Sequence, residues 1–459
     1  MNDTPTNPPL MLSVSGARGI VGETMTPEIT NAFANAFVSF LHEKLGKLPT
    51  LCVARDSRPS GPSLQDAVAK AFVASGCRVT DLGVVATPTA GVMINALQAD
   101  GGIIVTASHN PTPWNGLKCL DGDGLAPSKD EAEEIIRRFH ERISLPHTNG
   151  GVLEVNNQGN DTHIAKVLGI IDPQPIRDCQ FRVVLDSING AGCESGLKLL
   201  ELLGCEVWHL NGEPTGDFAH TPEPKSENLT DLSSMVDKFD ADVGFAQDPD
   251  ADRLAIVDET GFYFGEEYTL VLAAMRWLEE NPNSSVATNL STSRMIDDVA
   301  KEFGCTTWRS AVGEANVAGA MKEHGCVVGG EGNGGVIFPQ VCWVRDSLSG
   351  MALVLDLMRK RKEKLSSIVR SIQPYEMIKR TIDLADLGGI PEIEKEIARL
   401  KTTYADECMD DSDGLRIDFD EGWIHVRPSN TEPIARVIAE AVDSLTAYKL
   451  SNRVKLGKD

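Results

Sequence analysis

The sequence predicts an α/β protein built from three related α/β domains and a smaller C-terminal α+β domain. Three observations carry that expectation. Short apolar runs at 51–54, 79–82, 103–106, 183–185, 207–210, 243–246, 254–257 and 286–288 read as strands, and stretches of helical spacing lie between many of them. The run 53–83 resembles 183–211: each passes from a strand through Asp-Ser and a Gly-containing turn into a helix, then Gly-Cys and a second strand. A looser third copy covers 286–310, so each copy is one βαβ-sized unit. The tail departs from this pattern, and we place domains at 1–150, 151–256, 257–370 and 371–459.

The elements follow in order. The stretch 26–45 is a helix with Ile29, Phe33, Phe37, Phe40 and Leu41 on one face, opened by Thr26, Pro27 and Glu28 as a capping hydroxyl, a first-turn proline and an acid. Beyond the basic stretch Arg359 to Lys364 the sequence is charge-rich and helical. In 413–441, Leu415, Ile417 and Phe419, then Ile424 and Val426, alternate with polar residues, which reads as a strand pair turning at Glu421 and Gly422. We expect a helix over 433–441 with Thr431 as its cap.

Composition narrows the function. The chain has 459 residues, 41% of them apolar and 24% charged, which is ordinary for a globular protein and excludes wholesale disorder. A net charge of −24 repels polyanions at long range and argues against nucleic acid as the main partner. The ten cysteines are scattered with no CxxC spacing, which excludes a zinc ribbon or redox pair, and several, such as Cys52, Cys77 and Cys205, sit in apolar runs as small core residues. The N-terminal stretch has no basic segment followed by a long apolar one, and no apolar run is long enough for a membrane span. We expect a cytoplasmic protein with reduced thiols, acting without a membrane, as a monomer or homodimer.

Four segments carry chemistry. In 101–118 a strand leads into Ser108, His109, Asn110 and Pro111, with Lys118 close behind. A serine just past a strand end stands where α/β sheets present groups to ligands. It is not a nucleophile elbow, because Asn110 occupies a position that motif gives to glycine. An ordinary Ser-Asn-Pro turn would use the same residues. In 241–261, Asp248, Asp250 and Asp252 alternate in a tight loop between two apolar runs. Carboxylates this close repel one another unless a cation offsets them, and oxygen ligands suit Mg²⁺ or Ca²⁺. Arg253 stands sixth in that loop, where an EF-hand needs glycine, and suggests an anion beside the metal; a solvated acidic turn is the alternative.

The third segment, 327–339, surrounds Glu331 and Asn333 with five glycines. A carboxylate and an amide two apart can hydrogen-bond adjacent sugar hydroxyls, although a flexible turn would look the same. The fourth, 425–436, gathers Arg427, Ser429, Asn430, Thr431 and Arg436, a set able to wrap a phosphate or merely to cap a turn.

Together these segments resemble the α-D-phosphohexomutase superfamily of phosphoglucomutases, phosphomannomutases and phosphoglucosamine mutases. The matching motifs run in order as SGARGIVG (15–22), TASHNP (106–111), NGLK (115–118), DPDADR (248–253), GEGNGG (330–335) and RPSNTEP (427–433). The resemblance implies a heart-shaped arrangement of four domains, with mixed sheets in the first three and the active site in a central cleft. It implies Ser108 as the phosphoserine. It implies Asp248, Asp250 and Asp252 as Mg²⁺ ligands, with the phosphoserine oxygen completing the site. Arg18, His109, Lys118 and Arg253 would surround the transferring phosphoryl group, with Lys118 in a proton-transfer role. Glu331 and Asn333 would read sugar hydroxyls. Arg427, Ser429, Asn430 and Thr431, with Arg436 adding charge, would clamp the phosphate that stays in place.

The activity implied is interconversion of hexose 6-phosphate and hexose 1-phosphate through a hexose 1,6-bisphosphate. Many members have Ser where Asn333 stands and His where Gly335 stands; this chain looks more like the archaeal-type phosphoglucosamine mutase branch, so glucosamine phosphate is the expected substrate. A phosphomannomutase/phosphoglucomutase with the same mechanism, a sugar-phosphate-binding protein without catalysis and a Ca²⁺-binding structural protein are the rivals.

Overall fold

The computed structural model describes residues 10–429 and 434–456. They form two compact units, Met1–Arg276 with Asn333–Ile368, and Trp277–Gly332 with Val369–Asp459.

The first unit holds two sheets. Seven strands, β1 (Met11–Ser13), β2 (Gly16–Ile20), β3 (Thr50–Arg55), β4 (Arg78–Val84), β5 (Gly101–Val105), β6 (Trp114–Asp121) and β7 (Val152–Val155), lie in the order β1-β2-β6-β5-β3-β4-β7. The sheet is mixed: β3 runs parallel to β4 and β5, while β6 runs antiparallel to β2 and β5. Strands β8 (Arg182–Asp186), β9 (Glu206–Leu210), β10 (Val243–Gln247) and β11 (Leu254–Asp258) form the second, ordered β11-β10-β8-β9. Helix Pro27–Leu45 starts where its residues dictate, with Thr26 Oγ1 accepting from Ile29 N at 3.3 Å. Its Phe33, Phe37 and Leu41 pack with Val53, Phe72, Val79 and Ile103 in one apolar core. At roughly 1.5–3 kcal/mol for each large apolar side chain, this burial outweighs the helix's own propensity as the reason it forms.

The two copies of the Asp-Ser turn meet. Ser57 Oγ donates to Asn189 O at 2.7 Å. Each turn braces a loop of its own domain: 56–58 supports the loop after β5, and Ala191 N donates to Pro249 O at 2.8 Å in the loop after β10. The repeat legible in the sequence therefore places both chemistry-bearing loops at strand ends.

In the second unit, β12 (Ser285–Asn289) runs parallel to β13 (Thr306–Ser310) and to β14 (Val328–Glu331). Strand β15 (Gly335–Ile337) falls in the first unit. The C-terminal sheet is antiparallel and comprises β16 (Glu376–Asp383), β17 (Cys408–Asp410), β18 (Leu415–Phe419), β19 (Gly422–Pro428) and β20 (Ile434–Ala441), in the order β16-β20-β19-β18-β17.

Two expectations are corrected here. The segment expected as a helix over 433–441 contains β20, a strand paired on both sides. Ala435, Val437, Ala439 and Ala441 are fully buried at a period of two, and that alternation overrides alanine's helical preference. The turn of the β18–β19 pair falls at Asp420-Glu421, because Phe419 already faces Gly422. Gly422 belongs to the strand, where a Cβ would lie 2.0 Å from Glu440 O. No described helix is long and apolar enough to cross a membrane.

Candidate functional site

Ser108 follows β5 and is 2% exposed. Its φ of 49° lies in the left-handed region, uncommon for a residue with a Cβ and the kind of strain that surrounding structure must hold. Arg58 is what holds it. The guanidinium is fully buried, and Nη2 donates to Ser108 O at 2.7 Å and Asn110 O at 2.6 Å. Nη1 donates to Pro111 O at 2.9 Å and Trp114 O at 3.2 Å. Its charge is met by Asp56, with Nε 3.0 Å from Oδ2. Asp56 also accepts from Thr106 Oγ1 at 2.7 Å, and Thr106 Oγ1 in turn accepts from Ser108 N at 3.0 Å. Burial pushes the Asp56 carboxyl up, against the pull of Arg58.

Ser108 Oγ lies 3.3 Å from Asp248 Oδ2 and 3.5 Å from His109 Nδ1. Asp248, Asp250 and Asp252 are each fully buried on the loop between β10 and β11, with carboxylate oxygens within 4.8 Å of one another. Ala251, at φ 53°, is a left-handed residue in this loop, as Ser108 is in the loop after β5. Asp248 Oδ1 accepts from Asp252 N and Arg253 N, both at 3.1 Å. The Oδ2 atoms of the other two are also taken. Thr87 Oγ1 donates to Asp250 Oδ2 at 2.5 Å, Lys118 Nζ lies 3.1 Å from Oδ2 of both Asp250 and Asp252, and Arg345 Nη2 lies 2.6 Å from Asp252 Oδ2. Asp250 Oδ1 and Asp252 Oδ1 are buried without a hydrogen bond.

That division is the test of fit for a metal. Buried carboxylates keep an oxygen without a donor only at a cost of about 1–3 kcal/mol or more, so two of them in one cluster suit a hard cation. The charges are strongly perturbed. Burial, then Asp252 and Asp250, raise the Asp248 carboxyl well above the usual range. Burial acts the same way on Asp252, but Arg345, Lys118 and Arg253 overcome it and hold that group below the usual range. His109 is held well below its usual value, first by the charge of Arg253, then by burial and Arg18, so it is neutral at pH 7. Arg253 Nε, a buried donor without a hydrogen bond, lies 3.9 Å from Asp252 Oδ1. Arg18, on β2, donates from Nη1 to Asn110 Oδ1 at 3.1 Å.

In the second unit, Glu331 ends β14 and is 3% exposed. Its Oε1 accepts from Asn289 Nδ2 at 2.8 Å and from Gly313 N at 3.1 Å. The neighbouring amide, Val312 N, donates to Asp413 Oδ2 at 3.0 Å, and the same oxygen accepts from Arg427 Nε at 2.8 Å. Two consecutive amides thus tie Glu331, through Asp413, to the arginine of the fourth segment. His425 bridges Ser291 Oγ at 2.9 Å and Asp413 O at 2.7 Å. Ser429 N donates to Ile434 O at 2.8 Å, and Arg436 faces Arg427 across the β19–β20 ladder. Asn430 and Thr431 lie outside the described residues. Glu331 and Asn333, two apart in the glycine loop, belong to different units, Asn333 to the first.

The structure therefore brings Ser108, His109, Lys118, Arg253 and the three aspartates together, with Arg18 at their edge, and gathers Glu331, Arg427, Ser429 and Arg436 in the second unit. Sequence reasoning missed Arg58, Thr87, Asp413 and Arg345. Arg58 had one visible signal, a basic residue inside the repeated Asp-Ser turn. Arg345 had a weaker one, its place just before Asp346, the cap of helix Ser347–Arg361.

Comparisons with known proteins agree on one family. The models for phosphoglucomutase/phosphomannomutase α/β/α domains I, II and III match residues 11–145, 161–261 and 265–375, and the model for the C-terminal domain matches 383–455. The chain is 38% identical to a probable phosphoglucosamine mutase of Methanopyrus kandleri, with 95% of each chain covered. It is 36% identical to a phosphoglucomutase/phosphomannomutase of Thermococcus kodakarensis, with 93% of each covered. Among solved structures, a phosphoglucomutase/phosphomannomutase family protein of Burkholderia thailandensis superposes with a TM-score of 0.83 at 26% identity over 96% of each chain.

Proposed function

The chain belongs to the phosphoglucomutase/phosphomannomutase family, and on that premise we propose that this phosphohexomutase interconverts glucosamine 6-phosphate and glucosamine 1-phosphate through a phosphorylated Ser108. The observation that carries the proposal is Ser108 Oγ, held by a strained backbone 3.3 Å from Asp248 in a buried carboxylate cluster. A strained serine beside such a cluster is costly to fold and has no evident structural use.

Phosphoryl transfer asks little covalent work of side chains, so positioning and charge neutralisation dominate. Arg58 and the Thr106–Asp56 pair fix where Ser108 Oγ stands. Arg253, Arg18 and neutral His109 present donors to the equatorial oxygens of the phosphoryl group. Mg²⁺ held by Asp248, Asp250, Asp252 and the phosphoserine oxygen would supply positive charge to the group in flight and to the serine oxygen left behind. The first transfer breaks the bond from phosphorus to Ser108 Oγ and forms one to a sugar oxygen; the second, after the sugar has turned, runs the other way, protons included, breaking the bond from phosphorus to the other sugar oxygen and re-forming the one to Ser108 Oγ. In the first, the sugar hydroxyl loses its proton and Ser108 regains one; Lys118, an ammonium between two carboxylates, is placed to supply the latter. A hexose 1,6-bisphosphate then turns so that its other phosphate meets Ser108. Glu331 reads sugar hydroxyls, and Arg427, Ser429 and Arg436, with Asn430 and Thr431, hold the phosphate that stays.

For the sugar, the Methanopyrus relative's name supports glucosamine. The Thermococcus relative's name supports the second reading, glucose or mannose phosphate by the same mechanism. Side-by-side kcat/KM on the 6-phosphates of glucosamine, glucose and mannose, with Mg²⁺ and the matching 1,6-bisphosphate, separates them. The proposal expects glucosamine to lead; a higher value for glucose or mannose overturns it.

A further inference from the structure

We propose that Arg345, seated in space that Gly335 leaves open, is a positioning residue for Asp252, deciding which oxygen of that carboxylate is left for a divalent cation. This rests on the metal-site reading above and goes beyond it, because Arg345 and Gly335 belong to none of the motifs that reading uses for the metal.

Arg345 is 8% exposed, and its Nη2 lies 2.6 Å from Asp252 Oδ2. Lys118 takes the same oxygen at 3.1 Å. Between them they occupy Oδ2 while Asp252 Oδ1 stays buried without a hydrogen bond. A carboxylate clamped through one oxygen cannot rotate freely about its Cβ–Cγ bond, so the other oxygen is presented in one orientation.

The stem of Arg345 depends on Gly335. A Cβ at Gly335 would stand 2.1 Å from Arg345 Cδ and 2.7 Å from its Cγ, an overlap relieved by moving the arginine side chain away. Gly335 lies in strand β15 and is not among the glycines with positive φ, so space rather than backbone conformation excludes a side chain there. The backbone at Arg345 is anchored independently. Ile337 and Arg345 form an antiparallel bridge, and Asp346 N donates to Val336 O at 2.8 Å. Asp346 accepts from Leu348 N at 2.9 Å and Ser349 N at 3.0 Å as a helix cap, and lies 3.1 Å from His163 Nε2, whose Nδ1 meets Thr89 Oγ1 at 2.9 Å. The guanidinium is thus aimed from a rigid seat.

Positioning and charge can be told apart. Mg²⁺ demands near-octahedral geometry with oxygens at about 2.0–2.1 Å, whereas Ca²⁺ accepts irregular shells at about 2.3–2.6 Å. Losing a positive charge changes the attraction for both ions alike; losing the orientation of one ligand hurts Mg²⁺ selectively. Gly335→Ala makes the distinction cleanly, since it displaces the guanidinium without changing any charge.

The experiment measures Mg²⁺ and Ca²⁺ dissociation constants by calorimetry on the full chain, with thermal midpoints as a check of folding, for wild type, Gly335→Ala, Arg345→Ala, Arg345→Lys and the Gly335→Ala/Arg345→Ala pair. Groups that hydrogen-bond a metal's ligands are typically worth about 10–100-fold in affinity. Gly335→Ala is expected to weaken Mg²⁺ at least about tenfold while leaving Ca²⁺ within about threefold. Arg345→Ala should lower the Mg²⁺/Ca²⁺ preference to the same degree, and the double variant should add nothing further, because without the arginine stem the alanine methyl meets no such obstacle. Arg345→Lys, the substitute should Arg345→Ala fail to fold, should fall between. An unchanged Mg²⁺/Ca²⁺ ratio in Gly335→Ala, or full additivity in the pair, overturns the proposal while leaving the metal site standing. A wild-type chain that binds no Mg²⁺ overturns both.

Discussion

Arg58 is the residue whose loss should reveal most about how Ser108 is held. Replacing it by methionine keeps a stem of similar length and removes the guanidinium. Asp56 is then a fully buried carboxylate without its partner, and breaking such a pair from one side costs about 3–5 kcal/mol. The carbonyl oxygens of Ser108, Asn110, Pro111 and Trp114 each lose a donor as well. Those losses do not add fully, because water can enter the vacated space and Asp56 can take up a proton. A loss of about 4 kcal/mol leaves a domain of ordinary stability folded but near its threshold.

The sign with pH follows from Asp56. Burial already raises its carboxyl, and removing Arg58 raises it further. A raised folded value means a penalty that is absent below the unfolded value near 4 and grows as pH rises above it. Urea denaturation of wild type and Arg58→Met should therefore differ least near pH 4 and most near neutrality. Turnover at neutral pH should fall at least about a hundredfold, since displacing a reacting atom by about 1 Å can cost that much. Arg58→Lys sharpens the test: it restores charge to Asp56 but not the fork to four carbonyls, so it should recover stability more than kcat. A loss under about 1 kcal/mol with unchanged kcat in Arg58→Met would refute this account.

The other predictions are these. Ser108→Ala should abolish turnover, with hexose phosphate still binding; intact-mass spectrometry of wild-type protein incubated with a hexose 1,6-bisphosphate should find one added phosphate, and full activity in the variant would exclude the phosphoserine. Asp413→Ala should raise KM for hexose phosphate more than it lowers kcat, because it releases Arg427; if KM holds while kcat falls, Asp413 does not act through that arginine. Burial pushes His425 down to about 4, below the 6.5 or so of the unfolded chain. The unfolded state therefore takes up a proton first, and stability should decline as pH falls from about 6.5 to about 4, by roughly 1.4 kcal/mol per unit at most. Denaturation of His425→Gln over that window should show a shallower decline, and identical slopes would discount the histidine.

The sequence alone settled what depends on near neighbours along the chain. The apolar runs became β3, β4, β5, β8, β9, β10, β11 and β12 because short β-rich runs between turn residues have few other ways to bury themselves. The helix from Pro27 and the Asp-x-Asp-x-Asp loop were legible for the same reason: cap, period and carboxylate spacing are all local. Residues 434–441 misled because Ala and Glu favour helix locally, while pairing with β16 and β19 decides otherwise. What only the tertiary structure decided is which groups meet. Arg58 reaches the Ser108 loop across 50 residues and Arg345 reaches Asp252 across 93. Gly335 stood out in the sequence as a departure from the family pattern, but its consequence, room for an arginine stem ten positions on, exists only once the chain has folded. Long-range contacts of this kind carry no periodicity of their own. They form where packing removes water, and the sequence does not state where that will be.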